Sequence, residues 1–467
     1  MLENIVSNIS NYLYTYVLII LLIGGGLYFT IRTKFVQFRF FGEQIRAVTE
    51  QPEDKKGVSS FQALMVSTAS RVGTGNIIGV STALCLGGFG SVFWMWLIAI
   101  IGSASAFAES TLAQIYKKRG NDGAYGGPAY YIEAVCKGKR WVAIIFSIFL
   151  ILTYGVGFNM LASYNLQSTF AAYDFYNPKY TPWVIGFILA VLVGYCLFGG
   201  GSRIIKVTSF LVPVMGVIYI LVSLFIVIIN IPALPGIFSR IFTEAFDVGA
   251  IFGGFSGSCV MYGIKRGLFS NEAGVGSAPN ASASADVAHP VKQGLVQVLS
   301  VFIDTILVCT ATAFMCMCSG VEPTAEISGA AYVQQSMTNT LGQFGPVFIT
   351  ISMILFAFTT LLGNLYYVDK ALAYINGGMP GKKAMAVYYV LASLLIFVGA
   401  GLTADLLWNI ADITMGGMAL INIPVILILS KYAIRALNDY TKQKKEGKYP
   451  VFHAQDIGLP HKVDYWQ

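Results

Sequence analysis

Apolar residues along the chain form long uninterrupted blocks, such as residues 12–30, 207–229 and 347–362. A helix of about 20 residues, rising about 1.5 Å per residue, spans the roughly 30 Å hydrocarbon core of a bilayer. The alternating segments of about ten residues that build membrane β-barrels are absent from the sequence. The pattern therefore predicts an all-α polytopic membrane protein. We place its eleven spans at residues 11–31, 59–86, 91–116, 141–170, 182–199, 207–230, 246–264, 294–318, 345–367, 384–401 and 405–430.

The second and seventh spans carry clustered glycines. Span 2 contains residues 70–76 (SRVGTGN), and span 7 contains residues 253–258 (GGFSGS) followed by Gly263. Each glycine weakens a helix by about 1 kcal/mol relative to alanine, and a backbone group freed in lipid needs a new partner. Small residues also serve close helix packing, which is the alternative interpretation. Because both stretches also bring Ser, Thr or Asn, we predict two broken helices that line a polar cavity.

These two spans also suggest how the chain is organised. Spans 2–6 and 7–11 form two units of five spans, and each unit begins with one of the glycine-rich spans. Because five is odd, the second unit lies in the membrane in the opposite orientation to the first. Interrupted helices at matching positions of two halves are the best sequence indicator of a transporter's binding site. The spacing predicts a five-plus-five inverted repeat with one extra N-terminal helix. The expected units are residues 1–58 (extra helix and cytoplasmic linker), 59–231 (first repeat), 232–430 (second repeat) and 431–467 (cytoplasmic tail).

Composition and charge fit this class. Of 467 residues, 56% are hydrophobic and 11% are charged, whereas soluble domains carry about 25% charged residues. Of the 30 Lys and Arg residues, only Lys179 and Arg240 fall outside when the N-terminus is placed outside. The positive-inside rule therefore predicts an inner-membrane protein with a cytoplasmic C-terminus. The net charge of +7 forms no basic stripe with interleaved aromatics, so the lipid bilayer, and no nucleic acid, is expected as a partner. The Lys-rich tail is expected to be solvated.

A broken helix exposes peptide N–H groups at one new end and carbonyls at the other, which attract a carboxylate and a small cation respectively. The amides expected to receive a carboxylate belong to Gly73, Thr74 and Gly75. The carbonyls expected to coordinate sodium belong to Ala69 and Val72. Asn76 adds a neutral side-chain oxygen, which suits a hard cation.

Other polar residues within spans are candidates for function. Thr359 and Thr360 in span 9, taken alone, favour hydrogen bonds to carbonyls of their own helix. Charges within spans are costly and usually functional; here they are Arg71, Glu109, Asp304 and Asp412. We expect Arg71 to pair with a carboxylate, and the candidates are Glu109, Glu272 and Asp304. Lys265 and Arg266, with residues 270–272, indicate either an inner gate or a plain cytoplasmic loop.

Enzymatic function is not expected. Residues 254–257 match the GxSG pattern of intramembrane serine proteases, but such a serine needs a histidine base. The three histidines, His289, His453 and His461, all lie outside the predicted spans. The sequence contains no HExxH and no Walker motif. An ion channel is harder to exclude, but the inverted repeat with two broken helices favours alternating access.

Several longer motifs resemble the alanine or glycine:cation symporter family, also called sodium:alanine symporters. They are residues 87–97 (GGFGSVFWMWL) followed by 107–109 (FAE), 122–132 (DGAYGGPAYYI), 266–274 (RGLFSNEAG) with 277–279 (SAP), and 289–291 (HPV) with 302–305 (FIDT). The match covers nearly the whole chain. The resemblance implies the leucine-transporter fold, which has the five-plus-five repeat expected above.

The resemblance also implies site residues. Residues 72–76 resemble the unwound first core helix of that fold, where amides hold the substrate carboxylate and carbonyls hold sodium. The implied sodium ligands are Ala69, Val72 and Phe356 through backbone oxygens, with Thr359 and Thr360 through hydroxyls. The expected substrate-binding residues are Gly73, Thr74, Gly75, Asn76, Ala162, Ser163, Phe255, Ser258 and Asn364.

Two departures from the family's usual motifs concern the substrate. Ala162 stands where many members have Gln, and Asn364 stands where many have Trp. The exchange leaves more room, and Asn can pair with an amide or hydroxyl, which favours a larger polar substrate such as glutamine or serine. Alternatively, Tyr164 or Phe255 refills the space and alanine or glycine stays preferred. The expected function is sodium-coupled uptake of a small neutral amino acid by alternating access, with proton coupling or, less favoured, a channel as alternatives.

Overall fold

In a computed structural model of the protein, the described residues are 2–52, 57–120, 123–247, 249, 258–459 and 463–466. Among them, eight helices are long and apolar enough to cross a membrane, which confirms an all-α polytopic membrane protein. They are Val6–Arg32, Gly90–Ile115, Trp141–Ala172, Gly200–Ile229, Pro290–Cys318, Phe344–Asn376, Lys382–Gly399 and Ala404–Ile428. The shorter apolar helices Gly75–Gly87 and Thr181–Leu197 coincide with predicted spans 2 and 5. Predicted span 7 falls partly outside the described ranges, so the number eleven stays a prediction.

The α-helices within the described ranges are α1 Leu2–Tyr12, α2 Ile19–Arg32, α3 Val36–Arg39, α4 Phe41–Thr49, α5 Ser60–Arg71, α6 Val80–Gly87, α7 Gly90–Ile115, α8 Pro128–Val135, α9 Trp141–Leu150, α10 Phe158–Ser168, α11 Thr181–Leu197, α12 Gly200–Ile229, α13 Leu234–Ala245, α14 Cys259–Asn271, α15 Pro279–Ser282, α16 Pro290–Val301, α17 Thr310–Cys318, α18 Ala330–Leu341, α19 Phe344–Asn376, α20 Lys382–Gly399, α21 Ala404–Ile428 and α22 Ser430–Lys445. The π-helical segments Leu13–Leu18, Gly75–Gly79, Ile151–Gly157 and Phe302–Cys309 lie within or lead into these helices. Strands β1 (Lys118–Gly120) and β2 (Gly123–Tyr125) form an antiparallel hairpin.

The predicted break in span 2 is confirmed. Helix α5 begins with a capping box, in which the Ser59 hydroxyl accepts from the Gln62 amide and the Gln62 side chain accepts from the Ser59 amide. It ends at Arg71, where Val72 leaves the helical region with φ −76° and ψ 85°. The helix resumes at Gly75 as a π-helical turn. The chain is thus interrupted among buried residues, where its freed peptide groups need partners.

The predicted break in span 7 cannot be followed in the same way, since residues 250–257, including Phe255, lie outside the described residues. Gly263 is described, and it does not interrupt a helix. It lies inside α14, and a Cβ there would meet the Ser91 carbonyl oxygen at 2.5 Å. At Gly263 the glycine therefore serves close packing of α14 against α7, which was the alternative interpretation.

Burial separates an inner group of helices from a lipid-facing shell. Every residue from Gly102 to Ile115 in α7 is buried, and so is nearly all of α16. By contrast, α12 exposes large apolar side chains such as Phe210 and Leu221, which are 69% and 60% exposed. Exposed apolar surface of this kind suits contact with acyl chains, so the polar, buried helices near the centre hold the candidate site.

The C-terminal tail is packed and not simply solvated, which corrects the expectation from its lysines. Phe452 donates its amide to the Ala288 carbonyl at 3.0 Å, and the Trp466 indole donates to the Gln114 carbonyl at 2.7 Å. His289 lies 3.2 Å from Asp439, and this hydrogen bond is the main reason that the pKa of Asp439 falls below its usual value. The tail thereby joins α7, α22 and the segment before α16.

Candidate substrate and cation site

The break between α5 and α6 is braced by Asn76. The Gly73 backbone amide donates to the Asn76 side-chain oxygen at 2.8 Å, and the Asn76 backbone amide donates to the Gly73 carbonyl at 3.1 Å. Both groups were expected to face ligands, the Gly73 amide a carboxylate and the Asn76 oxygen a cation. In this conformation each satisfies the other, so Asn76 holds the shape of the break.

Asp304 completes this brace. The Asn76 side chain donates to one Asp304 carboxylate oxygen at 2.7 Å, and the Ser270 hydroxyl lies within 3.0 Å of both oxygens. Thr305 donates to the same carboxylate at 2.7 Å. Asp304 is fully buried, so one carboxylate ties the break to α14 and to the π-helical segment Phe302–Cys309. The sequence marked Asp304 as a charge within a span, but two of its partners, Asn76 and Ser270, are distant from it in the chain.

Thr360 faces the break directly. A Cβ added at Gly73 would overlap the Thr360 hydroxyl oxygen, and among the described residues this buried oxygen has no hydrogen-bond partner. Thr359 differs, because its hydroxyl donates to the Leu355 carbonyl at 2.9 Å and lies 3.4 Å from the Met215 sulfur. The alternative interpretation, hydrogen bonding within the helix, thus holds for Thr359. A buried hydroxyl oxygen without such a partner can coordinate a cation, because hard cations prefer neutral or anionic oxygens.

Helix α10 reaches the break from a second side. The Asn165 side-chain amide donates to the Thr74 hydroxyl at 3.1 Å, a contact that sequence reasoning missed although Asn165 lies beside the expected residues. Ala162 and Ser163 are both buried in α10, and the Ser163 hydroxyl has no partner among the described residues. Asn165 therefore joins α10 to the break.

Asn364 and Ser258 have local partners. The Ser70 hydroxyl donates to the Asn364 side-chain oxygen at 2.7 Å, and the Asn364 amide donates to the Asn159 side chain at 3.0 Å. Asn364 thus contacts the last turn of α5. Ser258 caps α14, with its hydroxyl accepting from the Met261 amide at 3.4 Å. Phe255 lies outside the described residues.

Arg71 has an amide partner where a carboxylate was expected. Its guanidinium donates to the Gln297 side-chain oxygen at 2.9 Å, and the structure records no ion pair for it among the described residues. Its other two nitrogens have no hydrogen-bond partner there. Glu272 instead accepts from Ser277 at 2.6 Å, and Glu109 accepts from the Asn422 side chain at 2.8 Å.

A cavity of about 680 Å³ leads toward the break. Its rim includes exposed residues such as Asp405, and its lining includes Asn165, Arg266 and Trp408. Asn165 lines the cavity and also contacts Thr74, so this side chain links the cavity to the break. Phe269 connects the cavity with the break: a Cβ at Gly75 would meet its ring at 2.8 Å, and the ring packs against Trp408, which lines the cavity. With Phe158 these rings form an aromatic layer, with centroids 4.5 and 4.6 Å apart. Sequence reasoning missed this layer, because isolated aromatics in apolar helices carry no distinguishing pattern.

The expected inner gate is also revised. Lys265 and Arg266 lie within α14, so the plain-loop interpretation is wrong. Lys265 lies 2.8 Å from the buried Asp412 carboxylate, and Arg266 stacks 3.9 Å from the Trp408 ring centroid. Both cations line the cavity together with residues near the N-terminus, including Ser7 and Asn11. They therefore lie on the side of the N-terminus, opposite to the packed tail.

The profile of the sodium:alanine symporter family matches residues 1–454. The chain belongs to this family. The match confirms the resemblance found in the motifs, and it confirms a membrane transporter of the symporter class rather than an enzyme. The membrane helices, the break and the cavity are therefore parts of a symporter.

The chain is similar to individual proteins over nearly the whole length of both sequences. The chain is 43% identical to the amino-acid carrier protein AlsT of Bacillus subtilis over 98% of this chain and 96% of AlsT. It is 42% identical to the probable sodium/glutamine symporter GlnT of Bacillus subtilis, over 100% of this chain and 96% of GlnT. It is 40% identical to YrbD of Bacillus subtilis, a putative sodium/proton-dependent alanine carrier protein, over 100% of this chain and 98% of YrbD.

A solved structure confirms the expected fold of this symporter. MhsT, crystallised with L-phenylalanine, is similar with a TM-score of 0.53, over 84% of this chain and 93% of that chain. At 16% identity the likeness concerns the fold alone, which is the leucine-transporter fold.

Proposed function

We propose that this symporter carries a small neutral amino acid into the cell together with sodium, by alternating access. The observation that supports this most is the broken helix at residues 72–73, which the cavity reaches through Asn165. A helix break supplies oriented peptide dipoles for a carboxylate and a cation without placing a fixed charge in the membrane.

The proposed orientation places the N-terminus outside and the C-terminus in the cytoplasm, in the cell inner membrane. The distribution of Lys and Arg supports it through the positive-inside rule. With this orientation, the cavity opens outward, and the packed tail covers the cytoplasmic side. We also propose that residues 59–231 and 232–430 are the two inverted repeats, whose relative rocking exposes the site inward.

The proposed sodium ligands are the backbone oxygens of Ala69, Val72 and Phe356 with the hydroxyls of Thr359 and Thr360. The unpartnered Thr360 oxygen beside Gly73 supports this set. Thr359 would have to release its hydrogen bond to Leu355 in order to join. A set of neutral oxygens is appropriate for sodium, a hard cation.

The proposed substrate site is formed by residues around the break: Gly73, Thr74, Gly75, Asn76, Ala162, Ser163, Phe255, Ser258 and Asn364. The substrate carboxylate would face the amides at the break, where Asn76 would have to release the Gly73 amide. The substrate side chain would point toward α10 and α19. The small Ala162 leaves room there, and Asn364 can pair with an amide or hydroxyl. Together with the name of the relative GlnT, this supports glutamine or serine beside alanine and glycine as substrates.

Uptake by the purified protein in proteoliposomes tests the proposal. Labelled alanine should accumulate under an inward sodium gradient and should not accumulate when potassium replaces sodium. Unlabelled glutamine, asparagine and serine should compete. If alanine competes and glutamine and asparagine do not, the larger-pocket part is wrong, and if no amino acid accumulates with sodium, the function itself is wrong.

Proton coupling is the second candidate, and Asp304 favours it. A buried carboxylate that contacts the brace of the break could bind and release a proton, and the relative YrbD is named sodium/proton-dependent. Uptake under a proton gradient without sodium would support this candidate. Asp304→Asn should then abolish the response to the proton gradient, whereas the control Asp369→Asn, at another buried carboxylate in α19, should retain it.

A further inference from the structure

A basic cavity lies where span 1 ends, on the side of the packed tail. It has a volume of about 440 Å³, is open to the surface, and lies between the turn after α2 and α22. One carboxylate, Glu446, lines it together with five cationic side chains. These are Arg32, Lys34, Arg39, Lys442 and Lys445. Such a concentration of like charge is unfavourable without an anion.

The protein supplies little neutralising charge itself. Lys444, which precedes Lys445 in α22, pairs with Glu43 at 3.0 Å. In contrast, none of the five cations that line the basic cavity forms an ion pair with a described residue. Glu446 is engaged by Lys448 at 2.7 Å. The basic cavity therefore keeps an excess of positive charge that an external anion can satisfy.

The same turn presents apolar side chains beside the charges. Lys34 and Phe35 adopt φ of 54° and 57°, which turns the chain sharply at the end of α2. Ile31 is 65% exposed and Phe35 is 54% exposed, and Phe38 and Phe41 are exposed to a similar degree. Exposed Phe side chains beside Lys and Arg suit the boundary between acyl chains and headgroups, where the apolar residues enter the lipid and the cations face the headgroups.

We propose that the basic cavity binds the headgroup phosphate of an anionic phospholipid, whose acyl chains lie along the exposed residues of this turn. Arg and Lys side chains are the usual partners of phosphate oxygens, and basic pockets at the cytoplasmic ends of helices bind anionic headgroups. The exposed aromatic residues distinguish a lipid from a soluble phosphate compound, which has no apolar part. This site is separate from the transport path and does not depend on which amino acid is carried.

Thermal unfolding of the full-length protein in detergent tests the site. Added phosphatidylglycerol should raise Tm, and phosphatidylcholine should not. Each cation near an anionic headgroup contributes about 1 kcal/mol, so Arg39→Gln with Lys442→Gln should raise the half-saturating phosphatidylglycerol concentration by about tenfold or more. The control Lys382→Gln with Lys383→Gln removes two exposed charges at the start of α20, away from the basic cavity, and should leave that concentration unchanged.

Three results would overturn the proposal. An unchanged phosphatidylglycerol response in the Arg39 and Lys442 variant would remove the site. An equal loss in the control would indicate diffuse attraction of charge rather than a built cavity. An equal rise of Tm with millimolar glycerol 1-phosphate would assign the cavity to a soluble phosphate. Tm of each variant without lipid verifies folding, since these side chains lie at the surface.

Discussion

Thr360 and Thr359 are adjacent in α19, yet their hydroxyls face different neighbours. Of the two, the Thr360 oxygen lies beside the break and has no hydrogen-bond partner in the part of the chain that the structure describes. Loss of one such interaction costs about 1–3 kcal/mol, so Thr360→Ala should raise the half-saturating sodium concentration about tenfold. Thr360→Ser keeps the hydroxyl and is the matched control, with a value near that of the native protein. Sodium dependence of uptake measures both variants, and a native half-saturating sodium concentration in Thr360→Ala would contradict the assignment of this hydroxyl as a sodium ligand.

Gly73 tests the same contact from the opposite side. In Gly73→Ala the new Cβ overlaps the Thr360 hydroxyl, so α5 and α19 must separate or Thr360 must rotate. Overpacking of this kind costs about 1–3 kcal/mol, and sodium-driven uptake should fall severely. Gly24→Ala is the control, because a Cβ there meets nothing within 4 Å. Native uptake by Gly73→Ala would show that this close approach is not needed.

At the residue scale, the sequence predicted the peptide groups of the break but not the side-chain pairings. Adjacent residues of a helix point about 100° apart, and an apolar sequence does not fix the rotation of α19, so Thr359 and Thr360 could not be distinguished. Asn165 and Phe269 were missed for the same reason. The partner of Arg71 was expected to be charged, but Gln297 supplies a neutral oxygen from α16.

Among the helices, α14 and α21 are joined by a buried ion pair, Lys265 with Asp412. Asp412→Asn leaves the ammonium buried without its carboxylate, which should lower the free energy of unfolding by about 3 kcal/mol. Lys265→Met with Asp412→Asn removes the closer cation together with the carboxylate and should recover part of that loss, because the buried Arg266, 3.7 Å from the Asp412 carboxylate, keeps its charge. Thermal unfolding of both variants gives the comparison. If the double variant is no more stable than Asp412→Asn, the pair does not account for the loss.

At the scale of helices, glycine clusters predicted the span 2 break because lipid leaves few other uses for several adjacent glycines and polar residues. The same signal at Gly263 was misleading, since one glycine equally permits close packing. Helix α13, which lies along the surface before α14, was not expected, because it is too short and polar to be read as a span.

Across the whole molecule, the C-terminal tail connects distant parts of the side that lies opposite the 680 Å³ cavity. Trp466 is 8% exposed, and its indole contacts the end of α7. Trp466→Ala should lower the free energy of unfolding by about 3 kcal/mol, because a large buried ring is lost. Trp141→Ala removes a tryptophan that is 62% exposed and should change it by less than about 0.5 kcal/mol. Equal Tm values for the two variants would mean that the tail adds no stability.

Lysine content alone suggested a solvated tail, because the aromatic residues that anchor it are few and widely spaced.

The depth of the large cavity has an electrical consequence. With the proposed orientation, solution ions that enter this cavity would carry the outer potential inward, and the membrane voltage would then fall mainly across the closed half below the aromatic layer. An elementary charge crossing that half gains about 2.3 kcal/mol for each 100 mV. A cation moving inward from beside Thr360 therefore carries current, and an interior-negative voltage should drive the symporter even when sodium concentrations are equal on both sides.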